Sequence, residues 1–454
     1  MKSNKYLNLI VIAVILLGVW ARITFYGSPF LSVGMLDTQT YIDSSKLATS
    51  LDTAFTGRRL LTFNLLYKLI GKNESCELTA FSNPSIGEEG YLAIQPCFNN
   101  IVLLQNIVSI FGWSLLAWTM ARRVKTALHK ISITIIILAF GFAPQIAEWD
   151  SILSSESLSV SLFPIVFAIT QEIVFRLAAG NEEKPSTTIN LLVMVWVVIF
   201  FFWQFVRDTH VYAVLTTLVL TLPFLPIKKV RQTKAILVLV VVLVGLFILG
   251  NRTAAASSRW QNSLTHVLDA YIFPHPSRTN FFIEHGMPEN RDSEAYRIWF
   301  DKRGVGTYGL FLVSHPGFLI ISTLDKTEYL RSDFIQPHFK SPQNEYRGYL
   351  LDLGEIVHPE TNAVYLIDLI LFLSILAAAV KYRNAETVAW TWLAVWMLMY
   401  STISLFVTLY GDIDGTRRHI YPSVELFRLF AWIFLAALTD LFVKREHYSE
   451  NPNN

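Results

Sequence analysis

The chain has 454 residues, of which 53% are hydrophobic and 16% charged, with a mean hydropathy of +0.42. A soluble domain carries roughly 25% charged residues, so the deficit and the long apolar runs argue against a water-soluble fold and for a polytopic membrane protein. The formal net charge of +2 says little alone, because the charge is sorted along the chain rather than in excess.

The first apolar run, residues 6–25, follows Lys2 and Lys5. It could pass for a secretory signal, but no small-residue cleavage site follows it and Trp20-Ala21-Arg22 closes it. A retained first helix is expected. A span needs about 20 apolar residues. Nine further segments come near that length: 101–121, 131–146, 153–177, 189–206, 211–225, 235–250, 364–380, 388–410 and 424–443. The expected fold class is therefore all-α, a single integral-membrane domain with about ten transmembrane helices.

Cytoplasmic loops are enriched in Lys and Arg. With the N-terminus inside, Lys2, Lys5, Arg122, Arg123, Lys125, Lys130, Lys184, Lys228, Lys229, Arg231, Lys234, Lys381, Arg383, Lys444 and Arg445 all fall inside. Both termini are then cytoplasmic. Two large loops, 26–100 and 251–362, lie on the outer side. Residues 58–70 in the first are too short to span and have basic flanks, which predicts a helix lying in the interface. In the second, His315-Pro316-Gly317 interrupts an apolar stretch, and an interfacial or re-entrant element is expected. The 12 Trp and 18 Tyr suit interfacial belts or sugar-stacking surfaces.

Both cysteines, Cys76 and Cys97, fall in the first outer loop. An oxidising compartment would let them pair, closing a loop worth about 3 kcal/mol in the chain-entropy model. Two buried thiols are the alternative. Asn73-Glu74-Ser75 and Asn251-Arg252-Thr253 match the short N-glycosylation pattern.

The ionisable residues with chemical potential gather on the predicted outer face. Asp37 sits just past the first span, with Asp43 and the pair Arg58/Arg59 in the same loop. An acid at the exit of a span needs a partner or a task. A carboxylate can take a proton from an attacking hydroxyl, and Arg binds phosphate oxygens with its planar fork. Helix capping by Asp37 and lipid contact by the arginines explain the same residues without chemistry. Glu148, Asp150 and Glu156 form a second acidic group. It could hold a divalent cation such as Mg, Mn or Ca, meet the acceptor, or cap helices. Glu156 is expected a turn inside its helix. Arg207-Asp208-Thr209-His210 forms a tight outer turn, either a site or a self-satisfied ion pair. Arg417-Arg418-His419 opens the last span from outside, where a bound anion or anionic lipid would explain it. No glycine-rich phosphate loop and no Cys/His metal spacing is present. The late loop has no strong net charge, so no nucleic-acid partner is expected.

Taken together, several features resemble the GT-C superfamily of membrane glycosyltransferases. They are Asp37 with Tyr41 and Leu47, then Gly57-Arg58-Arg59 before an amphipathic stretch, then Ser155-Glu156-Ser157-Leu158. Arg207 after an aromatic span, His315-Pro316 and Arg418 before Pro422 complete the pattern. The resemblance implies juxtamembrane helices in the first loop and an inverting transfer of a sugar from a polyprenyl-phosphate carrier. Asp37 would be the catalytic base, and Arg58, Arg59, Arg207 or Arg418 would hold the donor phosphate. Asp43, Glu148, Asp150, Glu156 and His210 are the candidates for substrate or metal contact. The acceptor would be a cell-envelope glycan, lipid or protein, and the location a bacterial inner membrane. Asp37-Thr38 stands where several branches have two adjacent acids, which leaves the branch and its metal requirement open. An O-antigen polymerase or ligase, and a transporter or lipid flippase, are the rival readings.

Overall fold

The computed structural model describes residues 2–26, 31–35, 37–71, 95–179, 187–336, 346–412 and 416–450. All ten apolar segments are helical, as they must be where lipid offers the backbone no hydrogen-bond partner. The first helix, α1 (Lys2–Phe25), leads into three short ones, α2 (Thr38–Leu47), α3 (Leu51–Thr56) and α4 (Leu61–Ile70). Then come α5 (Asn99–Arg123), α6 (Ala127–Phe142), α7 (Pro144–Ala147), α8 (Ser155–Ala178), α9 (Thr187–Gln204) and α10 (Val211–Thr221). A short α11 (Lys228–Gln232) precedes α12 (Lys234–Ala256). The late connection folds into α13 (Arg259–Val267), α14 (Pro276–Glu284), α15 (Glu294–Trp299), α16 (Val305–Ser314), α17 (Pro316–Asp325), α18 (Thr327–Leu330) and α19 (Arg347–Val357). The chain ends in α20 (Ala363–Tyr382), α21 (Ala385–Gly411) and α22 (Thr416–Glu450). Among the described residues the sole β feature is an isolated parallel bridge between Val33 and Ile152.

Among the described residues seven helices are long and apolar enough to cross a membrane, or nine if each of two bent pairs counts as one span. The expectation of about ten is trimmed for physical reasons. Residues 211–225 divide into the 11-residue α10 and a 3-10 turn, Leu222–Phe224, that contains Pro223. The apolar stretch of α22 carries Glu425, Arg428 and Asp440. Pro144 opens a segment tilted 44° from α6, and Pro316 one tilted 89° from α15–α16, because a residue preceding proline is pushed out of helical conformation. The second bend is the interruption expected at His315-Pro316.

The central helix is α8, packed against α5, α9, α21 and α22. Small residues allow close approach: a Cβ on Gly112 would lie 2.6 Å from the Ser161 carbonyl oxygen, and one on Gly141 2.1 Å from the Trp113 ring. The late connection carries its own core, including Leu264, Val267, Phe282, Trp299 and Phe311. At the end where α5 and α8 finish, Glu172 pairs with Arg122, Arg123 and Arg176. Lys125 pairs with Glu386 at that same end. The long connections lie at the opposite end.

Some loop expectations change. The helix expected over 58–70 starts at Leu61, so Arg58 and Arg59 stay outside it. It buries Phe63, Leu66 and Tyr67 in a core shared with Tyr41, Phe98 and Ile101, and is therefore packed on the bundle rather than resting free in the interface. The second large loop begins later than residue 251, since α12 runs to Ala256 and Asn251 donates to the Phe247 carbonyl within that helix at 2.7 Å. Cys97 is disulfide-bonded; Cys76 and Asn73 lie outside the described residues.

Candidate active site at the helix ends

Two backbone segments come together to build the site. Val33 N–H donates to the Ser151 carbonyl at 2.9 Å, and Leu153 N–H donates back to Val33 at 3.0 Å. Thr38 Oγ1 donates to the Leu153 carbonyl at 3.0 Å. These bonds fasten the strand-like run before Asp37 to the run before α8, and so place Asp37 and Glu156 on neighbouring helix starts.

Asp37 stands at the N-cap of α2, yet its side chain makes no capping bond. Its carboxylate instead accepts from two arginines remote in sequence, Arg59 Nη2 at 2.7 Å and Arg418 Nη2 at 2.5 Å. Capping is therefore not what holds this side chain. Arg59 is itself fixed: its Nε donates to Thr40 Oγ1 at 2.6 Å, and its guanidinium carbon lies 4.3 Å from the centre of the Tyr41 ring. Burial pushes the Asp37 carboxyl up, but Arg418 and Arg59 outweigh it and hold it down at about 2.

Arg418 also reaches Glu156, Nε to Oε1 at 3.4 Å. Arg207 meets the same oxygen at 3.4 Å and donates to the His419 carbonyl at 3.3 Å. His419 in turn pairs with Asp412 at 2.9 Å. Elements from across the chain thus join: the α2 start, the α3–α4 connection, the α8 start, the turn after α9 and the α22 start. Glu156 is 1% exposed, whereas Asp37 keeps 27% of its side chain exposed. Arg59, Arg207 and Arg418 meet the carboxylates of Asp37 and Glu156, with the His419–Asp412 pair behind them, and Asp37 is the accessible acid of the group.

The other expected residues sort differently. Glu156 lies in the first turn of α8, not a turn inside it, because the helix opens at Ser155. Arg58 is exposed and Asp43 is exposed with its carboxylate on Gln39. Glu148 pairs with Arg347 at 2.6 Å and accepts from Gln336 at 3.4 Å. Asp150 is fully buried, paired with Arg22 at 3.2 Å and bonded by Ser157 at 2.7 Å. Neither joins the Asp37 cluster. The turn after α9 is not self-satisfied: Arg207 goes to Glu156, while the Asp208 carboxylate accepts from Nε and Nη2 of Arg259, each at 3.0 Å. His210 is buried with both ring nitrogens occupied, by Ser159 at 2.9 Å and the Trp203 carbonyl at 2.7 Å. Burial pushes its imidazole down to about 3, so it stays neutral and structural. Among the described residues no three His, Cys, Asp or Glu gather as a metal site, and the carboxylates expected to share a cation hold separate arginines.

Sequence reasoning missed a second buried network. His358 Nδ1 meets Glu425 at 2.5 Å, Glu425 accepts from Arg428 at 2.7 Å, and Arg428 donates to the Ser332 carbonyl at 2.7 Å. The signal was present as an acid and an arginine three apart inside an apolar span, where such residues need a partner. This network ties the late connection to α22.

The fold and its ion pairs define an all-α integral-membrane protein with an arginine-rich carboxylate site at one end of its bundle. No protein-family model and no curated protein matches the chain. Among solved structures it is similar to the archaeal oligosaccharyltransferase AglB from Archaeoglobus fulgidus, in complex with an inhibitory peptide and a dolichol-phosphate. That similarity has 12% identity and a TM-score of 0.44, over 98% of this chain and 52% of the other. The chain thus spans about half the length of that protein.

Proposed function

We propose that this protein is a GT-C-type glycosyltransferase. It moves a sugar, with inversion, from a polyprenyl-phosphate carrier to a hydroxyl of an extracytoplasmic acceptor, a cell-envelope glycan, lipid or protein. The observation that carries this reading is the seating of Asp37 between Arg59 and Arg418, partly open to solvent, beside Glu156 and Arg207.

In this reading Asp37 takes the proton of the acceptor hydroxyl as its oxygen bonds the anomeric carbon. The bond from that carbon to the phosphate oxygen breaks, and its electron pair stays on the phosphate. Arg59 and Arg418, with Arg207 behind them, stabilise the charge that collects there, since preorganised donors aimed at developing charge are the largest common source of rate. Glu156 touches no reacting atom; it positions Arg207 and Arg418. Among the described residues no group of three His, Cys, Asp or Glu forms a cation site, and no step is routed through one. The lipid tail would lie along the apolar helices.

In this reading the chain lies in a bacterial inner membrane with both termini cytoplasmic, which puts the site outside. Nucleotide sugars are not expected there, so a lipid-linked donor fits the compartment. Mass spectrometry of envelope glycans from a deletion strain tests the reading, with the intact gene or Asp37→Asn restored at matched protein levels. The expected result is one sugar unit lost in the deletion and regained only with the intact gene. Full restoration by Asp37→Asn would make Asp37 structural and end the proposal.

A further inference from the structure

The arginines that the proposed mechanism assigns to the leaving phosphate are, in this structure, already occupied by the base. Arg59 and Arg418 both bond the Asp37 carboxylate. A carboxylate held by two guanidiniums is a poor proton acceptor, because taking a proton would forfeit both charge-assisted bonds. Either these bonds are permanent and Asp37 is a weak base, or something displaces them.

The charges say what could. Around Asp37 stand Arg59 from the α3–α4 connection, Arg418 from α22, Tyr41 from α2 and Glu156 from α8, with Arg207 and the His419–Asp412 pair behind. Arg59, Arg207 and Arg418 outnumber Asp37 and Glu156 by one positive charge. A sugar-linked phosphodiester brings one negative charge, which balances these five side chains. Transfer then lets Asp37 gain the acceptor proton and lose its charge, while the phosphate, freed as a monoester, gains a second one (its last proton has a pKa near 6). The sum over these five side chains and the phosphate does not change, and one negative charge has moved from Asp37 to the phosphate.

We infer, on the basis of the proposed glycosyl transfer, that Arg59 and Arg418 form a charge relay: they restrain Asp37 while the site is empty and pass to the donor phosphate when it binds, freeing Asp37 to act as base. The attachments of the two arginines suit this task. Arg418 is tethered by Glu156 through Nε, which leaves its Nη2 as the atom on Asp37. Arg59 is tethered by Thr40 through Nε and by stacking on Tyr41, again with Nη2 on Asp37. Each can exchange one oxygen for another without losing its anchor. Base strength is then coupled to donor binding, and an empty site cannot activate a hydroxyl.

The test uses the full-length protein in lipid nanodiscs, made with 13C-carboxyl aspartate. Undecaprenyl phosphate is the probe and undecaprenol its uncharged control. Infrared difference spectra against Asp37→Asn isolate the Asp37 band; Asp37→Glu, which removes the label and keeps the charge, serves if the first variant folds poorly. At pH 4 the restrained carboxyl is about 1% protonated, and a released one about half protonated. An increase of about fiftyfold on adding undecaprenyl phosphate, absent with undecaprenol, is the expected result. If radiolabelled undecaprenyl phosphate binds but Asp37 stays ionised, the relay is wrong and the glycosyltransferase reading stands. If it binds no better than undecaprenol, the donor-phosphate reading itself fails.

Discussion

Asp37 and Asp150 are the same residue at the same end of the bundle, and each is paired with arginine. Their surroundings separate them. Asp150 is fully buried, and its pair with Arg22 is closed off by Ser157 and by the Asn106 and Ala147 bonds that Arg22 also makes. Nothing can approach it without dismantling the packing of α1 on α5. Asp37 is partly exposed, and two arginines compete for it from elements that have no other reason to meet. A buried pair of this kind holds a fold in register, since removing either partner strands a charge. A partly open cluster in which arginines hold an accessible acid is, in the proposed function, where the donor phosphate binds.

The sharpest way to break the comparison is to neutralise each acid in turn. Asp37→Asn should lower transfer by about 10²–10⁴-fold, the usual contribution of a positioned base, and cost no more than about 2 kcal/mol of stability. Asp150→Asn should leave Arg22 uncompensated and cost about 3–5 kcal/mol of stability, while the folded fraction retains its transfer rate. Glycan assays beside thermal unfolding in detergent separate the two. A stable but inactive Asp150→Asn would move the catalytic assignment towards α8.

These two roles could not be told apart from sequence. The apolar runs marked all seven helices that, among the described residues, are singly long and apolar enough to cross a membrane, because lipid enforces both length and composition. The proximity of Glu148, Asp150 and Glu156 in sequence suggested one acidic group, but their partners come from Arg347, Arg22, and Arg207 with Arg418. Those pairings span up to hundreds of residues and carry no local pattern. Arg418 was legible because two arginines on the predicted outer face run against the usual charge bias. The folding of the described part of the late connection into seven short helices was not, since none of the seven alone has the length of a span.

Arg418→Lys probes how the open site differs from an ordinary ion pair. Lysine keeps the charge but cannot reach Asp37 and Glu156 with separate nitrogens of one planar group. Losing charge-assisted bonds of this type costs about 1.5–3 kcal/mol, so transfer should fall by roughly ten- to a hundredfold. Arg22→Lys should instead change stability alone. Equal activity losses in both variants would erase the distinction between the two clusters.

Acid titration gives a smaller contrast. The Asp37 carboxyl, held at about 2, lies below its unfolded value of about 3.9. Its contribution, about 2 kcal/mol, is complete above the unfolded value and is lost as pH falls towards 2. Between pH 5 and pH 2 the wild-type protein should therefore lose more stability than Asp37→Asn, by about that amount. Under the relay, kcat/KM, which reports the free enzyme, should show no acid limb from Asp37 above about pH 4. The limb in kcat should sit higher, because Asp37 has then lost its arginines.

The finest comparison is between adjacent residues. Arg58 and Arg59 are indistinguishable in sequence, and both were expected to meet the donor phosphate. The structure turns them apart at the connection into α4: Arg59 folds in to Thr40, Tyr41 and Asp37, while Arg58 is exposed. Surface substitutions away from specific contacts usually fall within about 0.5 kcal/mol, so Arg58→Ala should change transfer by no more than about twofold. Arg59→Ala should cost at least tenfold, since it removes a guanidinium from the reacting acid and leaves Tyr41 without its stacked cation. Parallel assays of the two variants in membranes decide it. A large loss with Arg58→Ala would mean that the donor is gripped further out, at the membrane surface, and that Arg59 serves Asp37 alone.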